Sequence, residues 1–354
     1  MITVYPLPAH LPTNPIFDRL YEPLAEQAND LRIRRLRPRY ALPALLFGRG
    51  SRILHLHFFD ELTQRPSQLA TALRSLGFLI VLLTLKLRGV RLVWTAHNLE
   101  PHELFFPFWG FVTYRCVARW SDAIIAHSES ARQALEARYG PLPHCRVIPL
   151  GNYVGQYGPI RNQAESRALL GLESQRPILL CAGTLRPYKN VEGLIAAFKQ
   201  LPKHKRGLLL IAGSAKSPEY LASLRELAAG LSDIRFDSRY LSDEELPTYL
   251  AAADLVLLPY HSILTSAMLL CALSYARPVL APNFGPVSEI VHEGQEGFLF
   301  DPKQADELQK ALERALEHPD LGSLQAAALR AAQPFDWKLI AAKTADLYRQ
   351  VAQL

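Results

Sequence analysis

The sequence predicts an α/β protein built from two doubly wound domains that face each other across a cleft. Short apolar runs alternate with amphipathic stretches along the whole chain, a pattern typical of parallel β–α units. The length of 354 residues suits two domains. Residues 151–162 are rich in glycine and tyrosine, separate two similar halves, and are interpreted as a hinge. Domains are therefore expected at 1–155 and 156–335.

In the first domain, the predicted strands are short apolar runs and the predicted helices carry apolar residues at helical spacing. Strands are expected at 2–5, 52–58, 92–95, 123–126 and 146–148. Helices are expected at 15–28, 66–87, 108–120 and 128–139. The apolar stretch 76–85 is too short to span a bilayer, which takes about 20 residues, so it is interpreted as a buried helix.

The second domain repeats the pattern. Strands are expected at 178–182, 208–212, 234–236, 255–258, 279–281 and 298–300. Helices are expected at 191–199, 218–229, 243–252, 266–275 and 305–317. A last helix, within the segment 336–354, follows Pro334 and is expected to pack back on the first domain.

The positive charge is concentrated in the first domain. Residues 1–155 hold 18 Lys and Arg against 11 Asp and Glu, and the densest cluster is the five arginines between 32 and 39. No known nucleic-acid-binding motif accompanies them, so nucleic acid is not an expected partner. An anionic membrane surface is a better one, at about 1 kcal/mol per basic group. A solvated face with no partner is the alternative.

Cysteine usage fits a reducing compartment. Cys116, Cys145, Cys181 and Cys271 lie far apart and form no C-x-x-C pair, so they are interpreted as free thiols, most of them buried in apolar runs.

A loop with two cations follows the first strand of the second domain. Residues 183–190 read Gly-Thr-Leu-Arg-Pro-Tyr-Lys-Asn. Gly183 lets the chain turn and a ligand approach closely. Arg186 can grip phosphate oxygens bidentately, and Lys189 adds a point charge. These residues are expected to bind a diphosphate; a surface loop with two solvated cations is the alternative.

A second turn of this kind contains Tyr260, Thr265 and Ser266, ahead of an apolar helix. Thr265 or Ser266 can cap that helix, whose free N–H groups and dipole favour an anion. Ligands of open parallel sheets bind at the carboxyl ends of the strands, so both turns are expected at one edge. A diphosphate linked to a sugar is a glycosyl donor. Plain capping is the alternative.

A polar segment follows the strand at 92–95 in the first domain. His97, Glu100, His102 and Glu103 could position an acceptor hydroxyl or take its proton. Asp60 is a further candidate base. A polar loop with local hydrogen bonds is the alternative.

Two other features of this domain leave alternatives open. His55 and His57 share one face of a strand, and we expect hydrogen-bonded strand histidines rather than a metal pair. The aromatic segment 104–111 is either core or a membrane-facing element.

Several of these segments together resemble a known family. The chain is similar to glycosyltransferases of the GT-B fold, which have two Rossmann-like domains, and especially to bacterial exopolysaccharide mannosyltransferases of the xanthan type that extend lipid-linked oligosaccharides. The resemblance covers nearly the whole chain. It rests on Asn14-Pro15 and on segments 54–57, 95–103, 185–190, 258–260 and 272–282.

The resemblance implies a metal-independent hexosyltransferase with no cofactor beyond its donor, GDP-mannose or another nucleoside-diphosphate sugar. The larger retaining group carries two glutamates where this chain has Ile263 and Cys271. Their absence favours an inverting reaction, with His97 or Asp60 as the base. Glu289 stands where related enzymes have an acidic residue, or is a glutamate at a helix start, and Tyr240 is expected near the donor base.

The expected acceptor is a lipid-linked glycan or polysaccharide precursor, and the expected location is the cytoplasmic face of the membrane. Alternatives are a UDP-sugar-using transferase, an epimerase or phosphorylase of the same fold, and a non-catalytic partner subunit that binds a nucleotide sugar.

Overall fold

The computed structural model describes residues 1–10, 16–101, 104–172 and 176–354, which form two compact α/β units. One unit comprises Met1–Gly151 with Trp337–Leu354, and the other comprises Asn152–Asp336. Each contains a six-stranded sheet in which every neighbouring pair is parallel. The prediction of two doubly wound parallel sheets is confirmed.

The first unit has the strand order β2-β1-β3-β4-β5-β6. β2 lies on one side of β1 and β3 on the other, so the order in which successive strands join the sheet reverses at β1. Such a reversal leaves a crevice at the carboxyl ends of β1 and β3. The strands are β1 Ile2–Leu7, β2 Leu31–Ile33, β3 Ser51–Leu56, β4 Arg91–Thr95, β5 Ala123–Ala126 and β6 Cys145–Val147. The helices are α1 Ile16–Gln27, α2 Pro38–Phe47, α3 Asp60–Thr63, α4 Gln68–Leu87, α5 Pro107–Trp120 and α6 Glu129–Tyr139.

The second unit has the strand order β12-β11-β10-β7-β8-β9, so its reversal lies between β7 and β10. Its strands are β7 Ile178–Ala182, β8 Leu208–Ala212, β9 Ile234–Asp237, β10 Leu255–Leu257, β11 Val279–Pro282 and β12 Gly297–Phe300. Its helices are α7 Gln163–Leu169, α8 Val191–Gln200, α9 Pro218–Leu227, α10 Leu246–Ala252, α11 Ala267–Ser274, α12 Gly285–Ser288, α13 Glu307–Glu317 and α14 Gln325–Ala332.

The last helix, α15 (Trp337–Gln353), belongs to the first unit and packs against α1. Its entry is fixed by Trp337, whose indole lies over Gly151: a Cβ on Gly151 would come within 2.2 Å of Trp337 Cε2. Glycine is therefore required at that position.

The cores of both units consist of sheet strands covered by helices. All five residues of β7 are buried, as expected for a strand covered on both faces. Cys145, Cys181 and Cys271 are buried free thiols, whereas Cys116 is only half-buried.

The prediction that 76–85 is a buried helix is wrong. These residues lie in α4, which packs against β4, α3 and α5 with one face only, so Leu76, Ile80 and Leu83 stay exposed. By length and composition alone, α4 is the single helix within the described residues that could cross a membrane. Because one face of α4 is packed against its own unit, its length and composition are weak evidence that it spans a membrane.

Candidate functional site

The donor-site residues predicted from sequence follow neighbouring strands of the second sheet. Gly183 to Lys189 come after β7, Tyr260 to Ser266 after β10, and Glu289 after β11. The carboxyl ends of β7 and β10 form the crevice where the strand order reverses, which is where open α/β sheets bind ligands.

The loop after β7 turns back on the end of its own strand. Gly183 has φ +97°, and the Nζ of Lys189 lies 3.0 Å from where a Cβ of residue 183 would be. Asn190 then adopts the left-handed conformation, and its Oδ1 accepts a 3.1 Å hydrogen bond from the Gly193 N–H at the start of α8. These contacts hold the ammonium group at the carboxyl end of β7.

The positive charge of the Lys189 ammonium group is available to an anionic ligand. Burial lowers the pKa of Lys189; the nearby Cys181 opposes that shift, and Arg186 adds to it. Among the ion pairs of the described residues, none involves Lys189 or Arg186. A partly buried cation without a carboxylate partner is costly, and an anionic ligand would remove that cost.

The first turn of α11 converges on the same point. Ser266 caps α11 by accepting a 3.1 Å hydrogen bond from the Leu269 N–H. Lys189 Nζ lies 5.8 Å from the centre of the Tyr260 ring. Met268 Cε lies 3.6 Å from where a Cβ of Gly183 would be. The Lys189 ammonium group and the first turn of α11 thus meet at the end of β7, and Arg186 is close enough to act on Lys189 electrostatically. Such a set suits a diphosphate.

A further glycine of this region escaped the sequence analysis. Gly213 follows β8 with φ +139°, and a Cβ there would lie 2.2 Å from the Gly183 carbonyl oxygen. Only glycine allows the two loops to approach this closely. The signal was present in the sequence, since an Ala-Gly pair ends the apolar run of β8 as it does that of β7.

The structure places the three other residues predicted for the donor site as follows. Thr265 is half-buried, directly before the cap of α11. Tyr240 is exposed after β9, with β8 between that strand and β7. Glu289 is exposed and follows the one-turn helix α12, so the alternative interpretation, a glutamate at a helix start, is wrong.

In the first unit, His97 follows β4 and lies in a buried histidine cluster. His57 Nδ1 is 3.1 Å from His97 Nε2, and His127 Nε2 is 3.4 Å from His97 Nδ1. His127 Nδ1 is 3.0 Å from the Ile148 carbonyl oxygen, and the Tyr21 hydroxyl is 2.7 Å from His57 Nε2.

The carbonyl group of Ile148 determines which group donates in each hydrogen bond of this series. A carbonyl oxygen only accepts, so His127 Nδ1–H donates to it. With each imidazole neutral, His97 then donates to His127, His57 donates to His97, and Tyr21 donates to His57. Both ring nitrogens of His97 are therefore engaged by other histidines.

His55 extends the cluster into the core. It is fully buried, with its ring nitrogens 2.8 Å from Tyr21 Oη, 2.6 Å from Tyr348 Oη and 2.8 Å from Thr95 Oγ1. His55 is thus a hydrogen-bonded histidine of β3, and His57, also hydrogen-bonded, directly follows that strand. No group of three or more potential ligands within the described ranges could hold a metal ion.

The cluster makes stability depend on pH. Burial lowers the pKa of His55 to about 3 and of His127 to about 4 from an ordinary 6.5. As pH falls below 6.5, the unfolded chain binds protons that the folded chain does not, so stability is lost down to the folded pKa. Each such histidine contributes a slope of up to about 1.4 kcal/mol per pH unit. We expect His55→Asn to remove one such slope between pH 5.5 and 4.5.

Urea unfolding followed by tryptophan fluorescence measures this effect, because Trp94, Trp109, Trp120 and Trp337 all belong to the first unit. His204→Asn, at an exposed position of the second unit, is the control. Equal slopes for His55→Asn and the unmodified protein would contradict the expectation.

The remaining acceptor-side candidates are placed as follows. Asp60 begins α3 after β3, is half-buried, and accepts a 2.5 Å hydrogen bond from the Tyr114 hydroxyl. Glu100 pairs with Arg138. Glu103, like His102, lies outside the described residues. In the aromatic segment, Phe105 and Phe108 are exposed, so it is not wholly core.

Comparisons with known proteins agree on one class of enzyme. The family "Glycosyl transferases group 1" matches residues 162–332, and "Glycosyltransferase Family 4" matches residues 19–152. The chain is 29% identical over 289 residues to GDP-mannose:glycolipid 4-beta-D-mannosyltransferase of Xanthomonas campestris pv. campestris, a match that spans 81% of this chain and 75% of the relative.

Solved structures share the fold. Sucrose-phosphate synthase from Thermosynechococcus elongatus superposes with a TM-score of 0.73 at 19% identity, over 99% of both chains. An Anabaena protein in complex with UDP and glucose gives a TM-score of 0.71 at 19% identity, over 98% of both chains. At this identity the likeness concerns the fold alone.

Proposed function

Since this chain is a glycosyltransferase of the GT-B fold, we propose that it transfers mannose from GDP-mannose to a lipid-linked glycan at the cytoplasmic face of the membrane, with inversion of the anomeric carbon. The observation that carries the proposal is the convergence of Lys189 and the first turn of α11 at the carboxyl ends of β7 and β10, with Arg186 close enough to act on Lys189 electrostatically.

In the proposed reaction these groups bind the diphosphate and stabilise it as it leaves. Negative charge grows on the diphosphate as the glycosidic bond breaks, and preorganised cations and N–H donors lower the barrier for that step. The positive charge comes from Arg186, Lys189 and the end of α11, so the protein itself supplies what a divalent cation would. The base of the nucleotide would extend towards Tyr240, beyond β8.

The choice of mannose and of a glycolipid rests on the Xanthomonas relative, whose name specifies both. Inversion has two supports. The chain has Ile263 and Cys271 where retaining relatives carry glutamates, and Cys271 is buried within α11. In addition, nucleotide-activated mannose carries an α linkage, and making a β-mannoside from it inverts the carbon.

An inverting transfer needs a base for the acceptor hydroxyl. We assign this role to Asp60, because its carboxyl group is half-buried at the carboxyl end of β3. His97 is the second candidate: it is more deeply buried, and taking a proton at Nε2 would break its bond from His57.

The donor base is tested by scanning calorimetry with GDP, UDP, TDP and ADP at equal concentrations. We expect GDP to give the largest shift, since a ligand at a hundred times its Kd adds about 2.7 kcal/mol of stability. Incubation with GDP-mannose and a lipid-linked acceptor should then give mannosylated lipid. A larger shift with UDP would overturn the donor, and conversion of the donor without acceptor would indicate an epimerase.

A further inference from the structure

Helix α4 exposes a continuous apolar stripe. Six large apolar residues recur at alternating spacings of four and three, which places them on one helix face. All six are exposed: Leu69, Leu73, Leu76, Ile80, Leu83 and Leu87. At 1.5 Å per residue the stripe is about 27 Å long. The opposite face, with Leu79, Leu82 and Leu85, is buried against the rest of the unit.

The stripe continues beyond the end of α4. Arg88, the next residue, lies over the ring of Phe47 at 5.9 Å, and Phe47 is the exposed last residue of α2. Arg52 joins the two helix ends by donating to the carbonyl oxygens of Leu45 at 2.6 Å and Arg88 at 2.8 Å. A single surface therefore combines exposed leucines, an exposed phenylalanine and arginine.

The charge along α4 itself has one sign. No aspartate or glutamate occurs between Glu61 and Glu100, a segment that holds five Lys and Arg. Arg74 and Arg88 are exposed on or directly after α4, and the arginines at 32, 34, 37, 39 and 49 are exposed in the same unit. A second copy of this helix would bring the same basic charges together without the opposite charges that helix pairs use. Anionic lipid supplies both an apolar interior and the missing negative charge.

We propose that the α4 stripe, with Phe47, Arg74 and Arg88, lies in the interface of an anionic lipid bilayer. This inference deepens the proposed function, because it identifies the surface through which the enzyme meets a membrane that carries its acceptor. The helix lies along the membrane plane, since its inner face is packed on its own unit.

The test is co-sedimentation of the full chain with vesicles of phosphatidylcholine alone or with one quarter phosphatidylglycerol. We expect binding to the anionic vesicles that weakens as salt rises. Leu73→Glu with Leu83→Glu should lower the partition coefficient at least about tenfold, because charged groups enter the apolar region poorly. Circular dichroism melts verify that the variant folds.

Leu169→Glu with Leu227→Glu is the matched control on helices of the second unit. These leucines are 69% and 44% exposed, against 62% and 46% for Leu73 and Leu83. The control should bind as the unmodified protein does. Equal binding by the stripe variant would overturn the proposal. A second outcome would also overturn it: neither protein binds vesicles, and light scattering shows a dimer for the unmodified protein but a monomer for the stripe variant. The stripe would then bind a second copy of the chain.

A transfer assay separates this inference from the proposed function. With a water-soluble acceptor, the stripe variant should retain the turnover of the unmodified protein, since none of the stripe residues belongs to the proposed donor or acceptor site. Vesicle binding without transfer to any acceptor would overturn the proposed function and leave the membrane surface standing.

Discussion

Replacing Lys189 by methionine is expected to lower kcat/KM for the nucleotide-sugar donor by about a hundredfold, the loss typical of one preorganised charge donor. Methionine keeps most of the side-chain volume and removes the charge. The structure gives the reason for so large an effect: the ammonium group lies over the end of β7 beside Tyr260, in a partly buried position where charge interactions are strong. Steady-state kinetics with the donor and a soluble acceptor measure the effect.

Lys203→Met is the control, since Lys203 is exposed in the same unit, between the end of α8 and the start of β8. It should change kcat/KM little. Arg186→Ala should resemble Lys189→Met, because both cations act on the same diphosphate. Near-normal turnover of the Lys189→Met enzyme would show that this loop does not bind the donor. The donor site would then have to include other residues, with Tyr240 and Glu289 as the next candidates.

The strands were the part of the fold most accessible from sequence. The bounds of β5, β7 and β8 agree with the prediction to the residue, because fully covered parallel strands are uninterrupted apolar runs. Strand β2 and helix α2 were missed. Both lie in the arginine-rich segment that was interpreted only as a charged surface, and β2 is an edge strand of three residues with little apolar signal.

The convergence of Lys189 with Tyr260 and Ser266 could be anticipated, since topology places the carboxyl ends of parallel strands at one edge. The surroundings of His97 could not. Its partners, His57 and His127, follow β3 and β5, and the cluster extends through Tyr21 and His55 to Tyr348 of α15 at the other end of the chain. Nothing in the spacing of His55, His57 and His97 indicates that both nitrogens of His97 would be engaged.

The exposure of α4 has a similar cause. An apolar run indicates that burial of those residues is favourable, but it does not indicate which face of a helix the rest of the unit covers. Only the packing of α4 against β4, α3 and α5 divides it into a covered face and an open one. The heptad spacing of the open face was visible in the sequence and became informative once the buried residues were known.

Asp60→Asn is expected to reduce kcat by between about a hundredfold and ten-thousandfold, the range typical for loss of a general base. Asparagine keeps the shape of the side chain and can still accept from the Tyr114 hydroxyl. The KM for the donor should change little, because Asp60 belongs to the first unit and the donor residues to the second. Single-turnover rates with a soluble acceptor isolate the chemical step.

The neighbouring Glu61→Gln is the matched control, since Glu61 is an exposed carboxylate on the same helix, α3. It should retain nearly full turnover. His97→Asn separates the two candidate bases: it breaks the donation from His57 and to His127, so a modest loss, on the order of tenfold, would fit a supporting role. If Asp60→Asn stayed active while His97→Asn lost at least a hundredfold, the proton would pass to His97 Nε2 instead. His127 would then stabilise the resulting imidazolium by accepting from its Nδ1–H.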